Sequence, residues 1–288
     1  MGMSQRLLRP RASGYLLDAF TGVSAAYSLQ RLRGGHSGSA VRVRRSSDNA
    51  EENYTSEQIN SGTLSAWLGA STGYVVTWFD QSGNGNDVTQ ATAANQPQVN
   101  LTERSVFFPE SAGSSANNSG YWLQTTSVPV TSNALTYFSV VSLSARNLAR
   151  NKYGRVLSLY KNGANSFDYN TTSGALIVDT PDNGANGLCF YADSAIRAAL
   201  PTLSLNTRTI VGGRISGSGL TLYRNTSTAS GTSNNMSLNA DRLRIGNNNP
   251  AFDSAMAGHY YVGVLFLSAL PDDTVSRLTS FLTSRWRV

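Results

Sequence analysis

Tyr74-Val75-Val76-Thr77-Trp78-Phe79 runs directly into Asp80-Gln81-Ser82-Gly83-Asn84-Gly85-Asn86-Asp87-Val88-Thr89-Gln90. The first six residues are β-branched or aromatic throughout, which predicts a buried strand. The polar, glycine-bearing segment after it predicts a tight exit from the core. Gly83 and Gly85 supply backbone angles closed to other residues, and Asp80, Asn84 and Asn86 have short polar side chains that cap their own backbone. A core strand emptying into an Asn/Gly/Ser turn is the repeating unit of an all-β chain.

The same alternation recurs on both sides. Upstream, Ala40-Val41-Arg42-Val43-Arg44 has the period-2 pattern of a half-buried strand, with Val41 and Val43 inward. Asp48, Glu51 and Glu52 come soon enough after it to offset its arginines. Downstream, residues 135–143, 155–160, 174–178, 207–215, 220–223, 243–245 and 260–267 have strand composition. Gly/Asn/Ser clusters at 113–120, 183–187 and 226–235 separate several of them. Many short strands joined by turns predict a sandwich or barrel, and no linker reads as an interdomain hinge. Two helices interrupt the pattern. Residues 63–70 (TLSAWLGA) predict a short one with Thr63 at its N-cap, ended by Gly69 and Gly73. Residues 271–286 predict a closing amphipathic helix, with Pro271 near its first turn and Asp272 and Asp273 favourable to its dipole. The expected organisation is an extended basic arm over residues 1–14 and one β-sandwich over 15–288.

Composition agrees. Of the 288 residues, 40% are hydrophobic, enough for a core, while only 14% are charged, against roughly 25% in an average globular protein. The polar surface is therefore built from Ser, Thr, Asn and Gly, which favours strands and turns over exposed helices. The net charge is +6, and Arg6, Arg9 and Arg11 all precede the first acid, Asp18. These three suit docking on an acidic partner surface. Nucleic acid is not the expected partner, because no recognised binding module and no basic stripe interleaved with aromatics is present. Cys189 is the only cysteine, which excludes an internal disulfide. Residues 1–20 lack a signal-peptide core, and no apolar stretch is long enough to span a membrane. The expectation is a protein folded in a reducing cytosol.

Little of the chain suits catalysis by nucleophile or metal. His36 and His259 are the only histidines, and neither is accompanied by a nucleophile elbow or a metal-ligand cluster. Asp80, Ser82 and Asn84, with Gly85, echo the first half of a calcium loop, but Ala91 stands where the bidentate carboxylate belongs and no helix comes after it. Calcium is thus a weak candidate and no other cofactor is expected. Asp80, Asn84, Asn86, Tyr121 and Trp122 remain candidate binding residues, the last two as sugar platforms or, equally, as core aromatics. A pair of carboxylates would serve glycoside hydrolysis, and the sequence does not pair its 17 acids.

Residues 78–90 (WFDQSGNGNDVTQ) resemble the Y-D-Q-S-G-N-G-N-x-x-T-Q motif in the catalytic domain of B-type α-L-arabinofuranosidases, a concanavalin-like jelly roll. Residues 26–31 (AYSLQR) and 40–48 (AVRVRRSSD) resemble that domain's opening strands. Together these segments are also similar to proteins of tailed bacteriophages that carry the domain outside an evident enzyme context. A looser resemblance to laminin-G and concanavalin-like domains covers 210–224 and 243–270. The resemblance implies an all-β, two-sheet antiparallel sandwich of jelly-roll type. It also implies a Glu nucleophile and an Asp acid in the second half. Residues 176–183 (LIVDTPDN) resemble the nucleophile region, with Pro181 in the place of the Glu, although Asp179 and Asp182 lie close by. Gly246 is followed by Asn247 and Asn248 where the acid belongs, and an amide cannot protonate a leaving group. The family's substrate-side cysteines are absent too.

On this reading the expected protein is a non-enzymatic structural component of a phage virion, in the head, a fibre or the tail. It would assemble with other virion proteins as a homo-oligomer and bind a host-surface glycan. A glycoside hydrolase or depolymerase of arabinofuranosidase type and a surface lectin are the alternatives.

Overall fold

The computed structural model describes residues 14–110, 120–144, 154–161, 175–180, 187–192, 195–235, 237–246 and 256–288. The arginines of the expected arm, Arg6, Arg9 and Arg11, lie outside the described residues.

The architecture is the expected antiparallel β-sandwich. One sheet has the hydrogen-bonded order Ala25–Ser28, Gly258–Phe266, Ala134–Leu143, Thr209–Ser216, Gly219–Arg224, Ser227–Thr232. The other runs Glu51–Thr55, Ser39–Arg45, Gly73–Trp78, Val88–Thr89, Leu123–Thr125, Arg242–Ile245, Gly154–Tyr160, Ala175–Thr180, Gly187–Ala192, Ala195–Leu200. A short ribbon, Gln98–Asn100 and Ser105–Phe108, pairs with both sheets and ties them along one side. At the far side the sheet edges meet directly. Gly231 lies so near the Arg197 carbonyl that a side chain at 231 would collide with backbone. The sandwich is thus held shut at both margins.

Between the sheets lies the main core. Val41, Val43, Val75, Trp78, Leu123, Leu243, Ile245, Ile177 and Phe190 point in from the second sheet, and Tyr27, Tyr137, Val141, Val211, Ile215 and Tyr260 from the first. Trp78 meets Tyr260 edge to face across the gap at 5.9 Å, a favoured aromatic geometry. A second apolar layer covers the outside of the first sheet. There Val275, Leu278, Leu282 and Trp286 of the closing helix, Asp272–Trp286, pack with Leu16, Leu17 and Phe20 over Phe138, Ile210, Val262 and Val264. The outer face of the second sheet has no such cover among the described residues.

Two expectations need correction, and one short helix is absent from the sequence reading. The helix Thr63–Leu68 is capped by Gly62 in the left-handed region, with no side-chain cap from Thr63. A preceding turn of helix, Ser56–Asn60, is hidden by its polar sequence; Thr55 and Gln58 form a capping box there. Residues 227–232 form an edge strand in place of the expected linker, because pairing with Gly219–Arg224 satisfies a backbone whose side chains are small and mostly exposed. No described helix is long and apolar enough to cross a membrane.

Candidate functional site

The turn after Trp78 is a structural clamp. Asp80 is buried, and each of its oxygens accepts two hydrogen bonds. Oδ1 takes the N–H groups of Ala26 and Ser82, both at 2.8 Å, and Oδ2 takes Ser82 Oγ at 2.7 Å and the Asn86 N–H at 3.1 Å. Gln81, fully buried, accepts the Leu32 N–H and donates to the carbonyls of Ser28 and Gln30. Asn84 and Asn86 donate their amides to the Ser24 carbonyl. The segment therefore stitches the first strand and its neighbours to the end of Gly73–Trp78. Of the calcium candidates, Asp80 spends its lone pairs on these donors, Ser82 Oγ faces it, and Asn84 presents its nitrogen to carbonyls. Among the described residues no group of three His, Cys, Asp or Glu could hold a metal.

A different arrangement forms on the outer face of the second sheet, where Ser158, Arg244 and Tyr160 are buried. Strand pairing places Thr89, Gln124, Arg244, Ser158, Leu176 and Tyr191 in one row across five strand pairings. Near its middle, Arg244 donates to Gln124 Oε1 at 2.6 Å and to the Tyr160 hydroxyl at 2.7 Å. Its guanidinium lies 4.3 Å from the Trp122 ring centroid and 4.9 Å from that of Tyr160. Tyr160 in turn donates to Gln124 Oε1. Burial raises the Tyr160 pKa above its ordinary value, with Arg244 opposing the shift, so the phenol keeps its proton at neutral pH. The row continues through Gln90, which donates to the Trp122 carbonyl, to Gln96 and Arg44, whose guanidinium lies over Tyr74.

Two groups in this patch are buried without a hydrogen-bond partner among the described residues: Trp122 Nε1 and Ser158 Oγ. Orphaned buried donors of this kind call for an explanation. The sequence singles out Trp122 and Tyr121 together, and the structure separates them. Trp122 stands on the outer face against Arg244, whereas Tyr121 packs against the inter-sheet core. Arg244, Gln124 and Tyr160 escape sequence reasoning. The alternation Arg242-Leu243-Arg244-Ile245 marks the outward side chains, and nothing local shows that they meet Trp122.

Asp179 and Gly246, the described residues beside the positions implied for catalytic carboxylates, lie towards one end of the same sheet. Gly154 pairs with Asp179 on one side, and on the other its strand runs antiparallel to Arg242–Ile245, which leads into Gly246. Gly246 has φ of +97°, and a side chain there would strike Phe108 and the Tyr121 carbonyl. Pro181, Asp182, Asn247 and Asn248 lie outside the described residues. His259 is on the other sheet, half-buried beside Ser105 at 2.9 Å.

No protein-family profile and no curated protein sequence matches the chain. Solved structures do. An arabinofuranosidase complexed with arabinofuranosyl-α-1,2-xylobiose matches 91% of this chain with TM-score 0.61 at 16% identity. A GH54 α-L-arabinofuranosidase soaked with a cyclic sulfate inhibitor matches the same share with TM-score 0.58 at 15% identity. In both cases the chain spans 62% of the matched protein. The sialidase of Trypanosoma rangeli in complex with sialic acid matches 73% of this chain and 32% of its own, with TM-score 0.51 at 12% identity. These matches overturn the expectation of a structural virion protein. The fold is the one these glycoside hydrolases use, and nothing among the matches points to a phage particle.

Proposed function

We propose that the chain is a carbohydrate-recognising domain of arabinofuranosidase architecture, taking a furanose-bearing glycan on the outer face of its second sheet. The observation that carries this reading is the patch formed by Trp122, Arg244, Gln124 and Tyr160. Sugar sites pair an aromatic surface for the C–H face of a ring with planar donors and acceptors for its hydroxyls. The patch supplies both, with Gln124, Ser158, Tyr160 and Arg244 on strands and Trp122 just before one, and the orphaned Trp122 Nε1 and Ser158 Oγ are unspent donors within it. The fold likeness to proteins solved with arabinofuranosyl ligands supports the substrate class. The test is calorimetric titration with arabinan and arabinoxylan oligosaccharides. Saturable binding lost in Trp122→Ala supports the reading, and absence of binding to both refutes it.

Hydrolysis is the second reading, favoured by the register that brings Asp179 to the sheet end reached by Gly246. Retaining hydrolysis needs a nucleophilic carboxylate and an acid about 5–5.5 Å apart. In this chain Asp179 is the acid at that end and Asp182 follows three residues later in the sequence, while Asn247 and Asn248 offer no proton to a leaving group. We therefore propose binding without turnover. Arabinose release that Asp179→Asn or Asp182→Asn abolishes would establish the hydrolytic reading in its place.

A further inference from the structure

On the opposite side of the sandwich, a cavity of about 350 Å³ opens where the closing helix ends. That volume is within the range of small-molecule sites. Four arginines line it, Arg104, Arg208, Arg285 and Arg287, against a single carboxylate, Glu103. Glu103 is already committed. It pairs with Arg208 at 2.7 Å and accepts the Tyr261 hydroxyl at 3.1 Å. Arg208 also donates to the Trp286 carbonyl and lies 4.5 Å over the Tyr261 ring. The side chains of Arg104, Arg285 and Arg287 have no carboxylate or hydrogen-bond partner among the described residues.

The backbone adds an independent observation. Five non-glycine residues among those described adopt positive φ, and three of them are asparagines, which tolerate it. The other two are Arg104 (φ 53°) and Arg287 (φ 56°), and both line this cavity. Arg104 sits at the tip of the ribbon between Asn100 and Ser105, and Arg287 is the C-cap of the helix. Glycine or asparagine is the usual residue at such places. Arginine accepts the strain twice at one cavity, and strain of this sort collects at ligand sites. The helix end explains only part of the charge. Its negative dipole favours Arg285 in the last turn, and Arg208 already caps Trp286.

We propose that this cavity is a binding site for a tetrahedral dianion, a phosphate or sulfate group, held by Arg104, Arg285 and Arg287 with Ser284 and Thr102 at its wall. Guanidinium groups match such oxyanions with paired, charge-assisted hydrogen bonds. The site faces away from the sugar patch and stands or falls independently of it.

The test is isothermal titration with inorganic phosphate, inorganic sulfate and glucose 6-phosphate, with glucose and chloride as controls, on the wild type and on the double variant Arg104→Gly/Arg287→Gly. Glycine suits both left-handed positions, so the variant should fold with an unchanged or higher melting temperature. Its affinity for the dianions should drop at least about tenfold, the cost of one charge-assisted contact. Tighter binding of glucose 6-phosphate than of phosphate assigns the anion to a sugar phosphate, and equal binding assigns it to the free ion. Should the double variant fail to fold, Arg285→Gln, in a helix turn that accepts glutamine, reads the same site. No saturable binding to the wild type, or equal affinity in wild type and variant, overturns the proposal.

Discussion

The Asp80 carboxylate accepts the backbone N–H of Ala26 at 2.8 Å, joining two positions 54 residues apart. The same two oxygens take three further donors from their own turn. Removing the carboxylate strands buried donors, at about 1–3 kcal/mol each when left unsatisfied. Asp80→Ala should therefore cost on the order of 3–5 kcal/mol, the penalty of breaking a buried charged network. Asp80→Asn, which keeps one acceptor, should cost about half as much. Urea unfolding of the two variants checks the ranking; equal stability of Asp80→Ala and wild type would show the clamp to be idle.

The closed margin of the sandwich can be tested with two glycines. A methyl group at Gly213 would press on the ring of Phe190 (2.8 Å) and the end of Ile177 (2.9 Å), side chains with some freedom to move. At Gly231 the obstacle is the Arg197 carbonyl, which cannot swing aside. Gly213→Ala should cost about 1–3 kcal/mol, as overpacking usually does. Gly231→Ala should cost more and should speed amide exchange along Ser227–Thr232 and Ala195–Leu200. Exchange unchanged on both strands would mean that the edges do not hold each other.

These features differ in how far the sequence reveals them. The long inner strands announce themselves, since runs such as 134–143 and 258–266 are buried on both faces over most of their length and are rich in apolar residues. Short strands such as Val88–Thr89 and Leu123–Thr125 carry no period of their own and exist only through pairing. The turn at Asp80 is legible as a turn, because its capping is local; its bond to Ala26 is not. The sugar patch is least legible of all. Gln124 and Arg244 are 120 residues apart, and their meeting is a consequence of strand order, which no local pattern encodes.

Acid should weaken the fold around His259. Burial, reinforced by Arg208 and opposed by Glu103, lowers its pKa from the ordinary value. The folded protein thus favours neutral imidazole, and the unfolded chain binds the proton more readily. Stability from this residue is present above the unfolded pKa of about 6.5 and is lost as pH falls below it. Glu103, whose pKa is lowered chiefly by the hydrogen bond from Arg208, adds a second loss at lower pH as its carboxylate protonates. Melting temperature should fall from about pH 7 to 5, and His259→Phe should flatten the upper part of that slope. An NMR titration placing the His259 midpoint above 6.5 would contradict the sign.

The opposite behaviour is expected of Asp87. Burial raises its pKa, and the nearby Asp80 charge adds to the effect, while the Asp80 N–H donated to its Oδ1 works against it. A carboxyl that the fold prefers protonated destabilises the protein as pH rises through its folded pKa. Asp87→Asn keeps an acceptor for the Asp80 N–H and removes that charge. The variant should be at least as stable as wild type at pH 7, with the difference shrinking towards pH 4. A variant less stable than wild type at pH 7 would mean that the Asp87 charge supports the turn.

The sugar patch separates packing from recognition through Arg244. Its guanidinium stacks between Trp122 and Tyr160 while donating to Gln124 and Tyr160. Lysine keeps the charge but loses the planar fork, so the substitution is not conservative at a stacked site. Arg244→Lys should weaken oligosaccharide binding about tenfold, the equivalent of one charge-assisted contact. The melting temperature should fall as well, because Arg244 is buried and its hydrogen bonds to Gln124 and Tyr160 are broken or weakened, so affinity is compared for the folded protein only. Trp122→Ala should abolish binding and also cost stability, since it removes the ring on which the buried Arg244 stacks. If instead the folded fraction of both variants binds with wild-type affinity, the patch serves packing alone.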